Sequence, residues 1–166
     1  MRKWRVSALL LVALSFSAHA QAPHVRRELG AILLASRQAL LSGDYATALS
    51  DLAAADDVAD KTSDEVAVLE QMRVVAAIKA SVPDVAAQSY QILSKSNHLT
   101  RLLELQYSQG IAAAYFAMGN GPGAATWAAF NIQLGGSDPT MQQLASAPAA
   151  APTVYAIPPG VVLPSH

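Results

Sequence analysis

One pattern recurs three times along this chain and constrains its fold more than any other feature. A long segment with apolar residues at helical spacing is followed by a short break and then a shorter, alanine-rich segment. The first instance is His24–Ser42, a break at Gly43-Asp44, and Tyr45–Asp56. The second is Asp64–Ser81, a break at Pro83, and Asp84–Ser94. The third is Leu99–Met118, a break at Gly119–Gly123, and Ala124–Leu134. In the last long segment Leu99, Leu102, Leu103, Leu105, Ile111, Tyr115 and Met118 recur at steps of about three and four residues, as one face of a helix requires. No segment alternates every second residue, so strands are disfavoured. The 34 alanines, set against 3 Phe and 2 Trp, also favour closely packed helices over a β-sandwich. With 52% hydrophobic and 14% charged residues, wholesale disorder is excluded, and 166 residues suffice for one domain with a core.

The breaks have local physical causes. Gly43 accepts a left-handed conformation at the end of a helix, and Asp44 caps the next one by accepting a backbone N–H. Thr62-Ser63-Asp64-Glu65 has the spacing of a capping box. Pro83 stops one helix and suits the first turn of the next. Gly135-Gly136 ends a sixth helix, and Ser137 or Asp138 caps a seventh with Pro139 in its first turn. The shorter segments carry Ala48, Ala55, Ala86, Ala87, Ala124 and Ala128, small side chains that let helix axes approach to about 8 Å. Burial per residue is then modest, so stability must come from stacking several units.

Superposing the breaks brings Ala48, Ala87 and Ala124 into register, at spacings of 39 and 37 residues. Ser42-Gly43-Asp44-Tyr45-Ala46-Thr47-Ala48 resembles the turn and fixed small residue of the tetratricopeptide repeat, a helix-turn-helix unit of about 34 residues. In the third unit Ile111, Ala112, Tyr115 and Ala124 fall where that family has an aliphatic, a small, an aromatic and again a small residue. The corresponding triplets of the first two units are Ala35, Ser36, Ala39 and Val74, Val75, Ile78. Gly135-Gly136-Ser137-Asp138-Pro139 resembles the closing turn of such arrays. The resemblance covers roughly residues 24–147. It implies an all-α fold of about three stacked antiparallel hairpins plus a capping helix. An unrelated bundle of alanine-rich hairpins is the alternative.

The two ends differ from this body. Arg2, Lys3 and Arg5 precede the uncharged stretch Val6–Phe16, and Ala18-His19-Ala20 follows. This is the layout of a secretory signal peptide, residues 1–20, cleaved before Gln21. Read instead as an anchor, eleven helical residues rise about 16 Å, half of a hydrocarbon core of about 30 Å. The expected location is periplasmic or secreted. At the other end, residues 148–166 hold Pro148, Pro152, Pro158, Pro159 and Pro164 and form a Pro-rich extended tail. Val154-Tyr155-Ala156-Ile157 and Val161-Val162-Leu163 give that tail apolar side chains able to dock on the array or on a partner. The repeat domain is residues 21–147.

Chemistry is sparse. The chain has no cysteine, which removes disulfides, thiolate metal sites, a cysteine nucleophile and an N-terminal lipid anchor. The formal charge of −1 gives no case for nucleic acid. Asp51, Asp56, Asp57, Asp60, Asp64 and Glu65, offset by Lys61, form an acidic run, but no glycine interrupts it as a Ca²⁺ loop needs. Adjacent carboxylates such as Asp56 and Asp57 point about 100° apart on a helix and cannot flank one bond. Only His98 lies inside the array, without a partner visible in sequence. Gly119–Gly123 lacks the Lys-Ser/Thr ending of a phosphate loop. No serine sits in a nucleophile motif. No metal, cofactor or catalytic residue is expected.

What remains is surface. The resemblance implies a concave face lined by the first helix of each unit, and selects Arg37, Met72, Lys79, Gln106, Gln109 and Phe116 as groove residues. Arg37 and Lys79 would pin a carboxylate, and Met72 and Phe116 would form an apolar pocket. The expected function is a non-catalytic exported interaction module that binds a peptide or envelope protein, whose identity stays open. The alternative is a structural subunit that self-associates through its repeat ends or tail, with Met141 and Leu144 as the apolar end.

Overall fold

The computed structural model describes residues 26–147. The expected signal peptide, the first residues of the segment opening at His24, and the Pro-rich tail lie outside that range. The described chain is all-helical, with seven α-helices and no strand. They are α1 Arg27–Ser42, α2 Tyr45–Ala54, α3 Ser63–Lys79, α4 Pro83–Ser94, α5 Arg101–Ala117, α6 Gly121–Gln133 and α7 Pro139–Ser146.

Cap chemistry sets the boundaries. Gly43 takes φ +80°, and the Asp44 carboxylate accepts the Thr47 N–H at 3.0 Å. Thr62 and Glu65 form the full capping box, each side chain accepting the other's backbone N–H. Pro83 occupies the first turn of α4, and Asp138 caps α7 ahead of Pro139. Thr100 caps α5, so His98 precedes that helix without capping it.

Two boundaries differ from the sequence reading. Helix α2 gives way to a 3₁₀ turn at Ala55–Asp57, closed by Lys61, whose ammonium donates to the carbonyls of Ala55, Asp56 and Val58 at 2.9, 3.0 and 2.6 Å. Helix α6 begins inside the glycine-rich stretch rather than after it. Asn120 accepts the Gly123 N–H at 3.0 Å, and Pro122 falls in the first turn, where its missing N–H has no intrahelical role.

Packing follows the alternation of long and short segments. Helix α1 packs on α2, α3 on α4, α5 on α6, and α7 on α6; α1, α3 and α5 also meet one another in that order. The alanines of the short helices are at the contacts: Ala48, Ala55, Ala86, Ala87, Ala124 and Ala128 are all buried. Ala48 and Ala124 are the fourth residues of α2 and α6, and Ala87 is the fifth of α4.

Glycine and alanine bring the long helices close. A Cβ on Gly110 of α5 would lie 2.8 Å from Ile78 Cδ1 of α3. The larger core cluster centres on Tyr90, Trp127 and Phe130, whose rings meet edge to face at 5.3–5.9 Å. A smaller cluster joins α1, α2 and α3 through Leu29, Leu33, Leu52 and Leu69. Buried Asn131 ties α6 to α5 by donating to the Leu105 carbonyl at 2.9 Å and to Ser108 Oγ at 2.8 Å. Of the register triplets, Ile111, Ala112 and Tyr115 are buried, whereas Ala35 and Val75 face outward.

Candidate interaction groove

The three long helices share one side of the molecule, and there they enclose an open groove of about 360 Å³. Helix α1 contributes Arg37 and Leu40, α3 contributes Val68, Gln71, Met72 and Val75, and α5 contributes Tyr107. The α3 residues are spaced as i, i+3, i+4 and i+7, so they project from one face at 100° per residue. Arg37 is the only charged lining residue, and no carboxylate lines the groove. Burial pushes the Tyr107 phenol above its ordinary range, so it stays a neutral, amphipathic part of the lining.

Apolar surface extends beyond the groove along the same helices. Leu34 and Leu41, one turn either side of Arg37, are 64% and 79% exposed. Val75 is 39% exposed and Phe116 is 62% exposed. Along α5, Leu102, Gln106, Gln109, Ala113 and Phe116 form one exposed stripe. An apolar surface with scattered amides and one or two cations suits a peptide backbone and apolar side chains better than a polyanion.

The six residues selected from sequence separate into three groups. Arg37 and Met72 line the groove together. Lys79, Gln106 and Phe116 are exposed on the same helices but outside its lining. Gln109 is engaged within the fold, its amide donating to Asp138 Oδ2 at 2.8 Å and so fastening α5 to the cap of α7. Leu40, Val68, Gln71, Val75 and Tyr107 were not selected, although the spacing of 68, 71, 72 and 75 carries the signal. Met141 is buried in the core and Leu144 packs against it, so neither forms a free apolar end.

His98 does meet a carboxylate, with Nε2 3.4 Å from Asp64 Oδ1. Both side chains are partly solvated, and the pair joins the α4–α5 loop to the start of α3 rather than entering the groove. Lys61 already fills the carbonyl cluster at the acidic run. Arg73 neutralises part of the remainder, bridging Glu70 Oε1 at 2.7 Å and Asp56 Oδ1 at 2.6 Å. Among the described residues no group of three or more His, Asp or Glu side chains is placed to hold a metal ion. No described helix is long and apolar enough to cross a membrane. No protein-family model matches the chain, and neither a curated protein nor a solved structure gives a significant match.

Proposed function

We propose that this chain is an exported, non-catalytic interaction module built from tetratricopeptide-like hairpins, and that it binds a peptide segment of another envelope protein. The observation that carries this reading is the groove spanning α1, α3 and α5, lined by six uncharged residues and Arg37. One face assembled from three sequence-distant helices holds an extended segment without any of those helices moving. The basic, apolar and small-residue layout of Met1–Ala20 supports export, and the in-register alanines at 48, 87 and 124 support the repeat reading. The test is a pull-down with tagged residues 21–166 from a native periplasmic extract. A specific protein partner is the expected result. Repeated failure to recover one, with the bait folded, would overturn the reading.

One observation favours a structural subunit instead. Leu34 and Leu41 form an exposed apolar edge on α1, the first described helix, and a second copy would cover it. Sedimentation at increasing concentration separates the two readings. A concentration-dependent dimer abolished by Leu41→Glu would favour assembly, and a monomer throughout would favour the adaptor.

A further inference from the structure

We infer that the groove between α1, α3 and α5 is a docking site for the chain's own C-terminal segment, Val154–Leu163. This rests on the reading of that groove as a docking face, and it adds a resident occupant with which an external peptide must compete. Five of the eight large apolar side chains exposed among the described residues, Leu34, Leu41, Val75, Leu102 and Phe116, belong to these three helices. The fold itself supplies no helix to cover them. The described structure ends at Ala147, and 19 residues follow, 148–166.

The composition of that segment complements the groove. It contains no Asp, Glu, Lys or Arg, so the one side-chain charge that docking could strip of water is that of Arg37, an exposed lining residue. It offers Val154, Tyr155, Ile157, Val161, Val162 and Leu163 to the apolar lining. Pro158 and Pro159 within it, and Pro148, Pro152 and Pro164 on either side, restrict the free chain, which lowers the ordering cost of docking.

The attachment point and the number of residues set how far the segment can reach. Helix α7 is fixed beside α5 by the Gln109–Asp138 bond and by Met141 in the core. At about 3.1 Å per residue for an extended chain, five residues, the number in 148–152, reach at most about 15 Å. Ten residues, the number in 154–163, reach at most about 30 Å at that rise, against about 25 Å for a 17-residue helix such as α3 or α5. Tethering gives the segment an effective concentration on the order of millimolar, enough to fill a face too weak to hold a free peptide.

The absence of cysteine makes the test clean. Val75→Cys is combined with Val154→Cys or with Val162→Cys in residues 21–166, and disulfide closure is followed under mild oxidant at low micromolar protein. Lys95→Cys, exposed at the end of α4, replaces Val75→Cys in the control pairs. At least one groove pair is expected to close within the chain about tenfold or more faster than its control, and the advantage is expected to vanish in urea. Equal rates in native buffer would overturn the inference. A predominantly intermolecular product would also overturn it and assign the groove to a second copy. Because no external partner is present, equal rates leave the peptide-binding reading intact, whereas an intermolecular product would favour the structural subunit; failure of the pull-down leaves this inference intact.

Discussion

Arg26 grips Glu65 from the far side of the α1–α3 junction. Its Nε donates to Oε1 at 3.0 Å and to Oε2 at 3.2 Å, its Nη2 donates to Oε2 at 3.1 Å, and its backbone N–H donates to Oε1 at 2.9 Å. The same carboxylate accepts the Thr62 N–H at 2.9 Å as half of the α3 capping box. One buried side chain therefore both starts α3 and holds the beginning of α1 against it.

This arrangement fixes a pH dependence. The Arg26 guanidinium, then the backbone N–H groups of Arg26 and Thr62, pull the Glu65 carboxyl down from 4.5 to about 2. A depressed folded-state value stabilises fully above 4.5, and the contribution is lost as pH falls from there toward about 2. Glu65→Gln is expected to lower the melting temperature most at neutral pH, with the gap to wild type closing through that acid window. Melting curves from pH 7 down to pH 2 check this. A gap independent of pH would contradict it.

Two glycines two residues apart in sequence have opposite expectations. A Cβ on Gly123 would lie 2.8 Å from the Tyr115 ring, whereas one on Gly121 would meet nothing within 4 Å. The Tyr115 hydroxyl donates to Asp84 at 2.6 Å, which restrains the ring from moving aside. Gly123→Ala is expected to cost about 1–3 kcal/mol through overpacking. Gly121→Ala is expected to be neutral or to stabilise by up to about 1 kcal/mol, because alanine restricts the unfolded chain. Urea melts of both variants read the difference.

Asn131→Leu is expected to cost about 1 kcal/mol per hydrogen bond removed, because it deletes the two side-chain bonds from α6 to the Leu105 carbonyl and Ser108 Oγ. Ser108 Oγ still donates to the carbonyls of Glu104 and Leu105 after the change, so the loss belongs to the α5–α6 link rather than to the serine. Chemical denaturation checks the size. Retention of wild-type stability would mean that this link contributes little.

Lys61→Met removes the ammonium from three carbonyls at the end of α2 while keeping the side-chain length. The neighbouring Asp56, Asp57 and Asp60 then lose their nearest compensating cation in sequence. The variant is expected to loosen the turn first, seen as faster amide exchange at residues 55–61 with little change in the α5–α6 core. Unchanged exchange there would assign the lysine no structural role.

The breaks between helices were legible because cap chemistry is local. Gly43, Asp44, Thr62 with Glu65, Pro83 and Asp138 each act within a few residues of where they stand. The start of α6 was not, since Gly-Pro-Gly reads as a breaker although proline and glycine are both tolerated in a first turn. Arg37 and Met72 were reachable through the repeat register. Tyr107 was not, because an aromatic residue at helical spacing reads as core, and here it is both buried and part of the groove wall. Val75 falls at a small-residue position of the repeat register, yet it is exposed, and Ala76 and Ala77 beside it take the buried positions. The Gln109–Asp138 and His98–Asp64 contacts join residues 29 and 34 positions apart, a pairing that neither periodicity nor capping encodes.

The most direct test of the groove compares two surface variants in the same pull-down. Arg37→Glu/Val75→Glu reverses the cation and places a charge in the apolar lining, both at solvent-exposed positions. Val82→Glu/Ile92→Glu places two charges at exposed apolar positions outside it. With both variants shown to be folded by circular dichroism, the first is expected to lose the partner by about tenfold or more, since a buried unpaired charge at an interface costs more than 1.4 kcal/mol. The second is expected to retain it. Equal recovery by both variants and wild type would contradict the groove as the binding face.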